Sequence, residues 1–287
     1  MDMQHLTYEY ARRGACLLII ARRENLLKKV AENARKLGSP DVVPICADVL
    51  KVHDCKRFVE ESVNHFGRCN LFDFNSRKSL MNLFSVDVLV NNAGIGSMCL
   101  IEDVTDITKL APVMDVNFWG SIYPTFFAIP YLKRTKGSIF VNASSAAISH
   151  PPAFGIYSAS KAALLGFYET MRVELAPEIS ITTATLGIIE SEMTKGKHLS
   201  KEGTTQVNSD LANAYANQLP VMSSSACAKA IVDAIRRKER NVTEPKWYRF
   251  LFLLKTLCPE LIEWGNRRYY LKIKAWSQDH SHATISK

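Results

Sequence analysis

Paired cysteines, long apolar runs and early glycines are all missing from this 287-residue sequence. Seven cysteines stand at positions 16, 46, 55, 69, 99, 227 and 258, an odd number with no CxxC spacing. A disulfide framework or a zinc site is therefore not expected, and reduced thiols are. No apolar run approaches the ~18 residues that span a bilayer; 15–21 and 250–254 are the longest. The start shows no secretory signal pattern. His53, His65, His150 and His198 have no ligand spacing, so no metal site is expected. The first glycine is Gly14, so no glycine-rich phosphate turn precedes the first helical stretch.

What is present is ordinary globular composition, 47% hydrophobic and 22% charged, at a length that suits one large α/β domain. The net charge of +8 is uneven: from residue 231 onward twelve Lys and Arg face six Asp and Glu. Three of the four tryptophans (Trp247, Trp264, Trp276) lie in the same tail. Such a segment suits an anionic lipid surface, a nucleic acid, or a solvated helix with a packed aromatic stripe. No RNA- or DNA-binding motif accompanies it, so nucleic acid is not expected.

Apolar, β-branched runs at 15–21, 42–47, 86–90, 138–142 and 179–186 read as buried strands. Helical periodicity at 24–37, 51–66, 108–133, 156–176 and 223–240 separates or follows them. Alternation of this kind predicts an α/β fold with a parallel sheet covered on both faces. The stretch from 186 to about 219 is polar and loop-like. Residues 69–86 are an insert longer than the ~2–6 residues such connections use. The chain divides into a domain at 1–240, carrying that insert, and a basic aromatic extension at 241–287.

The chemistry-bearing residues follow the strands. Tyr157 and Lys161 are one helical turn apart and share a face. An ammonium beside a phenol favours phenolate and makes a general acid/base for a hydroxyl or carbonyl. Ser144 stands just past the strand at 138–142, at the carboxyl edge where open α/β sheets bind ligands. Its hydroxyl can hold an oxygen that gains charge; Ser145 is the lesser candidate. Arg22 and Arg23 end the first strand, where an acidic residue would accept from a free ribose hydroxyl. Guanidinium groups there favour a 2′-phosphate, hence NADP(H).

Asn91-Asn-Ala-Gly94, Asn117, Ser144, Tyr157 and Lys161, in that order, resemble the short-chain dehydrogenase/reductase family over residues 6–194. The stretch YSASKAALLGFYETMRVEL, with LIIARREN, ESEMTKGK, EPKWYR and CPELIEW, is similar to the plant 11β-hydroxysteroid dehydrogenase-like subgroup, which includes the lipid-droplet steroleosins. The resemblance implies a Rossmann-like, doubly wound parallel sheet with a C-terminal helical extension. It implies Tyr157 as acid/base, Lys161 as its partner and ribose ligand, Ser144 as the substrate-oxygen ligand and Asn117 as the anchor of a relay water. Asn91, Ala93 and Gly94 would flank the adenosine, Asp48 would accept from the adenine amino group, and Gly187, Ile189 and Ser191 would line the nicotinamide. It further implies NADP(H), a lipophilic sterol-like substrate, a homodimer through the helices at 108–133 and 156–176, and a lipid-droplet or endoplasmic-reticulum surface, or the cytoplasm where an N-terminal anchor is lacking. A TGxxxGxG segment is expected ahead of residue 1, and its strand would lie between those at 15–21 and 86–90. The sheet of this chain is accordingly expected to lack that first strand and its glycine-rich loop.

Overall fold

The computed structural model describes residues 3–69, 86–208 and 220–285. Residues 70–85, most of the expected insert, lie outside the described residues. The order of elements begins α1 (Met3–Arg12), β1 (Leu17–Ala21), α2 (Glu24–Lys36), β2 (Val42–Cys46), α3 (Val52–Cys69) and β3 (Val88–Asn91). A short helix α4 (Ala111–Met114) then runs through a π turn (Asp115–Trp119) into α5 (Gly120–Thr135). β4 (Ser138–Asn142), α6 (Ala146–Ser149), α7 (Gly155–Glu174) and β5 (Ser180–Leu186) follow. A small hairpin, β6 (Lys197–Leu199) with β7 (Thr205–Val207), interrupts the region expected to be loop. α8 (Ser224–Arg236), β8 (Asn241–Glu244), α9 (Tyr248–Leu257) and α10 (Pro259–Ile285) complete the chain.

All pairing among the long strands is parallel. β1 pairs only with β2, while β3, β4, β5 and β8 form a second sheet in that order. Among the described residues no strand lies between β1 and β3, so one edge of each is unpaired. β8, at the start of the 241–287 extension, is part of the sheet through its register with Thr183–Leu186 of β5.

Alternation of side chains along the strands builds two apolar layers. Ile139, Val141 and Ile181 point to one face and pack with Phe58 and Val59 of α3, Leu132 of α5 and Tyr168 of α7. Phe140, Ala184 and Leu186 point to the other, against Leu6 of α1 and Ile231 and Ile235 of α8. β1 and β2 divide likewise: Ile45 joins the first layer, while Ile19 and Val42 pack with α2 and Ala11 of α1. Helix α1 therefore spans both parts of the interrupted sheet. Arg13 fixes it, bonding Glu9 on its own helix and Asp233 on α8 at 2.8 Å.

Candidate active site

Ser144, Tyr157 and Lys161 meet at the carboxyl ends of β3, β4 and β5. Ser144 follows β4, is buried, and its Oγ accepts the Ala146 N–H at 3.2 Å. Tyr157 and Lys161 lie one turn apart on α7, both buried. The Tyr157 phenol faces the Ser144 side chain, which draws its pKa down. Lys161 donates to the Asn142 carbonyl at 2.8 Å, with its Nζ 5.9 Å from the centre of the Tyr157 ring. Burial pushes the Tyr157 phenol above its ordinary value, and Ser144 pulls it only partly back. Burial also lowers the Lys161 ammonium to about 8. The downward shift of Tyr157 expected from its neighbour is thus not what the structure shows. Enclosure disfavours both charged forms, and this outweighs proximity.

Asn117 sits in the π turn and is fully buried. Its Oδ1 accepts the Ile95 N–H at 2.7 Å; its Nδ2 donates to the Ile95 carbonyl at 3.0 Å and to Ser160 Oγ at 2.9 Å. Ser160 in turn donates to the Tyr157 carbonyl at 2.7 Å. The amide therefore clamps the segment after β3 onto the helix that carries the tyrosine. Single-turn π bulges inside helices are frequent at functional sites. Gly94 lies in the same junction: a Cβ there would stand 3.1 Å from Asn117 Oδ1 and 3.3 Å from Lys161 Nζ. Backbone approaches the ammonium that closely only because residue 94 has no side chain.

The other expected ligands are arranged around this centre with different degrees of freedom. Asn91 sends both amide hydrogens inward, to Thr125 Oγ1 at 2.9 Å and Tyr168 OH at 3.1 Å, and not toward the cleft. Asn92 instead takes a bond from Asn142 Nδ2 at 2.7 Å, next to the carbonyl that holds Lys161. Ala93 is exposed. Asp48 follows β2, and one of its oxygens accepts the Leu50 N–H at 3.1 Å. Arg22 and Arg23 follow β1 and are exposed, with Arg23 paired to Glu192 at 3.2 Å across the mouth of the cleft. Gly187 follows β5 and donates to the Glu244 carbonyl at 2.8 Å. Ile189 is buried and bridges to Met222, while Ser191 N–H donates to Thr194 Oγ1 at 2.8 Å. Groups of His, Cys, Asp or Glu able to hold a metal are absent among the described residues.

Two features went unread in the sequence. A buried hydroxyl cluster joins Ser121, Thr125 and Tyr168 beneath Asn91, with Thr125 to Tyr168 at 2.7 Å and Ser121 to Tyr168 at 2.9 Å. Tyr248 of α9 lies against Gly187, with its hydroxyl facing the Ser145 side chain and the Ile188 backbone. Beside the centre a cavity of about 320 Å³ opens between Leu100, Leu110, Pro151, Ile156 and Tyr270. Leu110 and Ile156, which line it, belong to the same apolar cluster as Tyr157.

The site can hold an oxygen between two hydroxyls and exchange a proton with it, next to a buried cation. Residues 4–202 match the family model described as short chain dehydrogenase. The chain is 48% identical over 276 residues to 11-beta-hydroxysteroid dehydrogenase 1A of Arabidopsis thaliana, covering 96% of this chain and 74% of that protein. It is 47% identical over 268 residues to 11-beta-hydroxysteroid dehydrogenase A of Arachis hypogaea, covering 93% and 72%. Among solved structures it resembles an alcohol dehydrogenase from the archaeon Thermococcus sibiricus, complexed with 5-hydroxy-NADP. The TM-score is 0.56 and the identity 22%, over 77% of this chain and 88% of that one.

Proposed function

The chain belongs to the short-chain dehydrogenase family and is an oxidoreductase; from that premise we propose that it interconverts a secondary alcohol and a ketone on a lipophilic, sterol-like substrate with NADP(H). The observation that carries this is the buried Tyr157 phenol facing Ser144, with Lys161 one turn on and its Nζ 5.9 Å from the ring centre. When bound, the nicotinamide supplies or accepts the hydride. The chain does the rest. Ser144 and Tyr157 hold the substrate oxygen between two hydroxyls, so that charge developing on it meets donors already in place. Tyr157 gives its proton to that oxygen in reduction and takes it back in oxidation. Lys161 spends one hydrogen on Asn142 and keeps the other two for a ribose hydroxyl and for stabilising the phenolate. The close passage of the Gly94 backbone beside Lys161 leaves room for the cofactor where a side chain would fill it.

Arg22 and Arg23 favour the phosphorylated cofactor. The Arg23–Glu192 pair is exposed and weak, so a phosphate can replace the carboxylate. The apolar cavity beside Tyr157 and the names of the plant relatives support a sterol-like substrate. Tyr157→Phe should abolish turnover of ketosteroids with NADPH while sparing cofactor binding, and full activity in that variant would remove Tyr157 from the chemistry.

A second reading has its own observation. Trp247, Phe250, Leu253, Leu257, Leu261, Trp264 and Leu271 are all exposed along α9 and α10, among Arg249, Arg267, Arg268 and Lys272. Among the described residues no helix is long and apolar enough to cross a membrane. A lipid-droplet or membrane surface is the partner this stripe fits, for an enzyme or for a non-catalytic descendant of one.

A further inference from the structure

We propose that Tyr248, on a helix beyond the last sheet strand, is a positioning residue for this reaction: it ties the turn bearing Ser144 to the turn bearing Gly187 and so fixes where the Ser144 hydroxyl points. The inference rests on the assignment of Ser144 and Tyr157 to the substrate oxygen.

Tyr248 differs from its neighbours on α9. It is 3% exposed, whereas Phe250 two residues on is 69% exposed. Its ring lies flat on the space where residue 187 would carry a side chain, since a Cβ on Gly187 would stand 1.9 Å from a ring carbon. Glycine at 187 and an aromatic ring at 248 are therefore a matched pair. The hydroxyl faces the Ser145 side chain and the Ile188 backbone, both of which draw its pKa back down. Burial raises this phenol above its ordinary value, so it stays neutral and keeps its proton to donate.

These contacts join two loops that leave different strands. Ser145 N–H already donates to the Leu186 carbonyl at 2.8 Å. Tyr248 adds a second link between the same turns, its ring packed on Gly187 and its hydroxyl set against the Ser145 side chain. Ser144 is the next residue, and its Oγ is the group that meets Tyr157. The anchor itself is rigid: Glu244 of β8 accepts the Gly187 N–H at 2.8 Å, the Tyr248 N–H donates to the Pro245 carbonyl at 3.1 Å, and Trp247 stacks on Tyr248 at 4.0 Å. Catalytic donors hold their geometry only when a supporting layer locks them, and a misplacement of about 1 Å can cost ~100-fold in rate.

The test uses the full chain with NADPH and a panel of ketosteroids, comparing Tyr248→Phe, Ser145→Ala and the double variant. Each single change should lower kcat by about tenfold with the KM for NADPH within about twofold, and the double variant should be no worse than either, because both cut one connection. Wild-type kcat in Tyr248→Phe, or losses that multiply in the double variant, would overturn the proposal. If Tyr157→Phe is inactive while Tyr248→Phe matches wild type, this inference falls and the assignment of Tyr157 stands. A wild-type chain that turns over no ketone overturns both. The packing arm needs no ligand: Gly187→Ala should lower the melting midpoint of the unmodified protein but be nearly neutral on a Tyr248→Leu background. Equal losses on both backgrounds would show that ring and glycine are not a matched pair.

Discussion

Lys161 holds its charge in a place that disfavours charge. The ammonium is 3% exposed, and burial draws it from 10.5 to about 8. Between about pH 8 and 10.5 the unfolded chain keeps a proton that the folded chain has released, so this residue makes stability rise with pH across that window. Below that window it is a net cost. Tyr157 acts in the opposite sense, because its raised value lets the folded chain keep a proton above pH 10 that the unfolded chain loses. Lys161→Met should therefore abolish the alkaline rise and stabilise the protein near neutral pH by on the order of 1–2 kcal/mol, while removing turnover; urea midpoints across the neutral-to-alkaline range measure it. Asn91 is the second case. Asn91→Ala leaves Thr125 and Tyr168 short of a partner in a dry layer and should cost about 1–3 kcal/mol in urea unfolding. The triad of Ser144, Tyr157 and Lys161 was legible in the sequence because helix pitch and strand ends fix its spacing. The inward turn of Asn91 was not, since Thr125 and Tyr168 are 34 and 77 residues away. Tyr248 was hidden for another reason: it sits in an aromatic run whose other members face solvent.

At the scale of elements, the five apolar runs became β1 to β5 with ends shifted by no more than two residues. Val, Ile and Leu buried on both faces leave little choice of conformation. The stretch expected as one helix at 108–133 is instead a 3-10 turn, α4, the π turn and α5. Periodicity counts apolar positions and does not register that the Asn117 amide is required at Ile95, which the extra residue of a π turn permits. The β6–β7 hairpin gives no sequence signal because its strands are three residues long and largely polar. In the tail, Leu251 and Leu254 are half-buried, whereas Phe250, Leu253 and Leu257 are exposed. Lipid association therefore tests the outer row. Trp264→Glu with Leu257→Glu should reduce co-flotation with anionic vesicles by about tenfold or more without altering turnover of a soluble substrate, whereas undiminished flotation would exclude the stripe.

For the whole molecule, the π turn, α5 and α7 leave Trp119, Phe126 and Val173 exposed beside half-buried Tyr123, Phe127 and Met171. An apolar face of this kind fits a second copy of the chain. Sedimentation velocity at micromolar concentration should give a dimer that Phe126→Glu dissociates; a monomer throughout would contradict it. The interrupted sheet bears on cooperativity. Among the described residues, strands β3, β4, β5 and β8 are laced together by their own hydrogen bonds, while no ladder joins β1 and β2 to them. The Arg13–Asp233 bond, the packing of α1 and α3 and the exposed Arg23–Glu192 pair couple the two parts. Side-chain packing across a seam is a weaker coupling than a shared ladder, and regions joined that way open separately. Native-state hydrogen exchange should find the amides of 15–46 exchanging together through a partial opening while those of β4 and β5 remain protected until global unfolding. Arg13→Ala should widen that separation. Calorimetry should therefore resolve two melting steps, the part holding β1 and β2 first, and one two-state transition would contradict the seam.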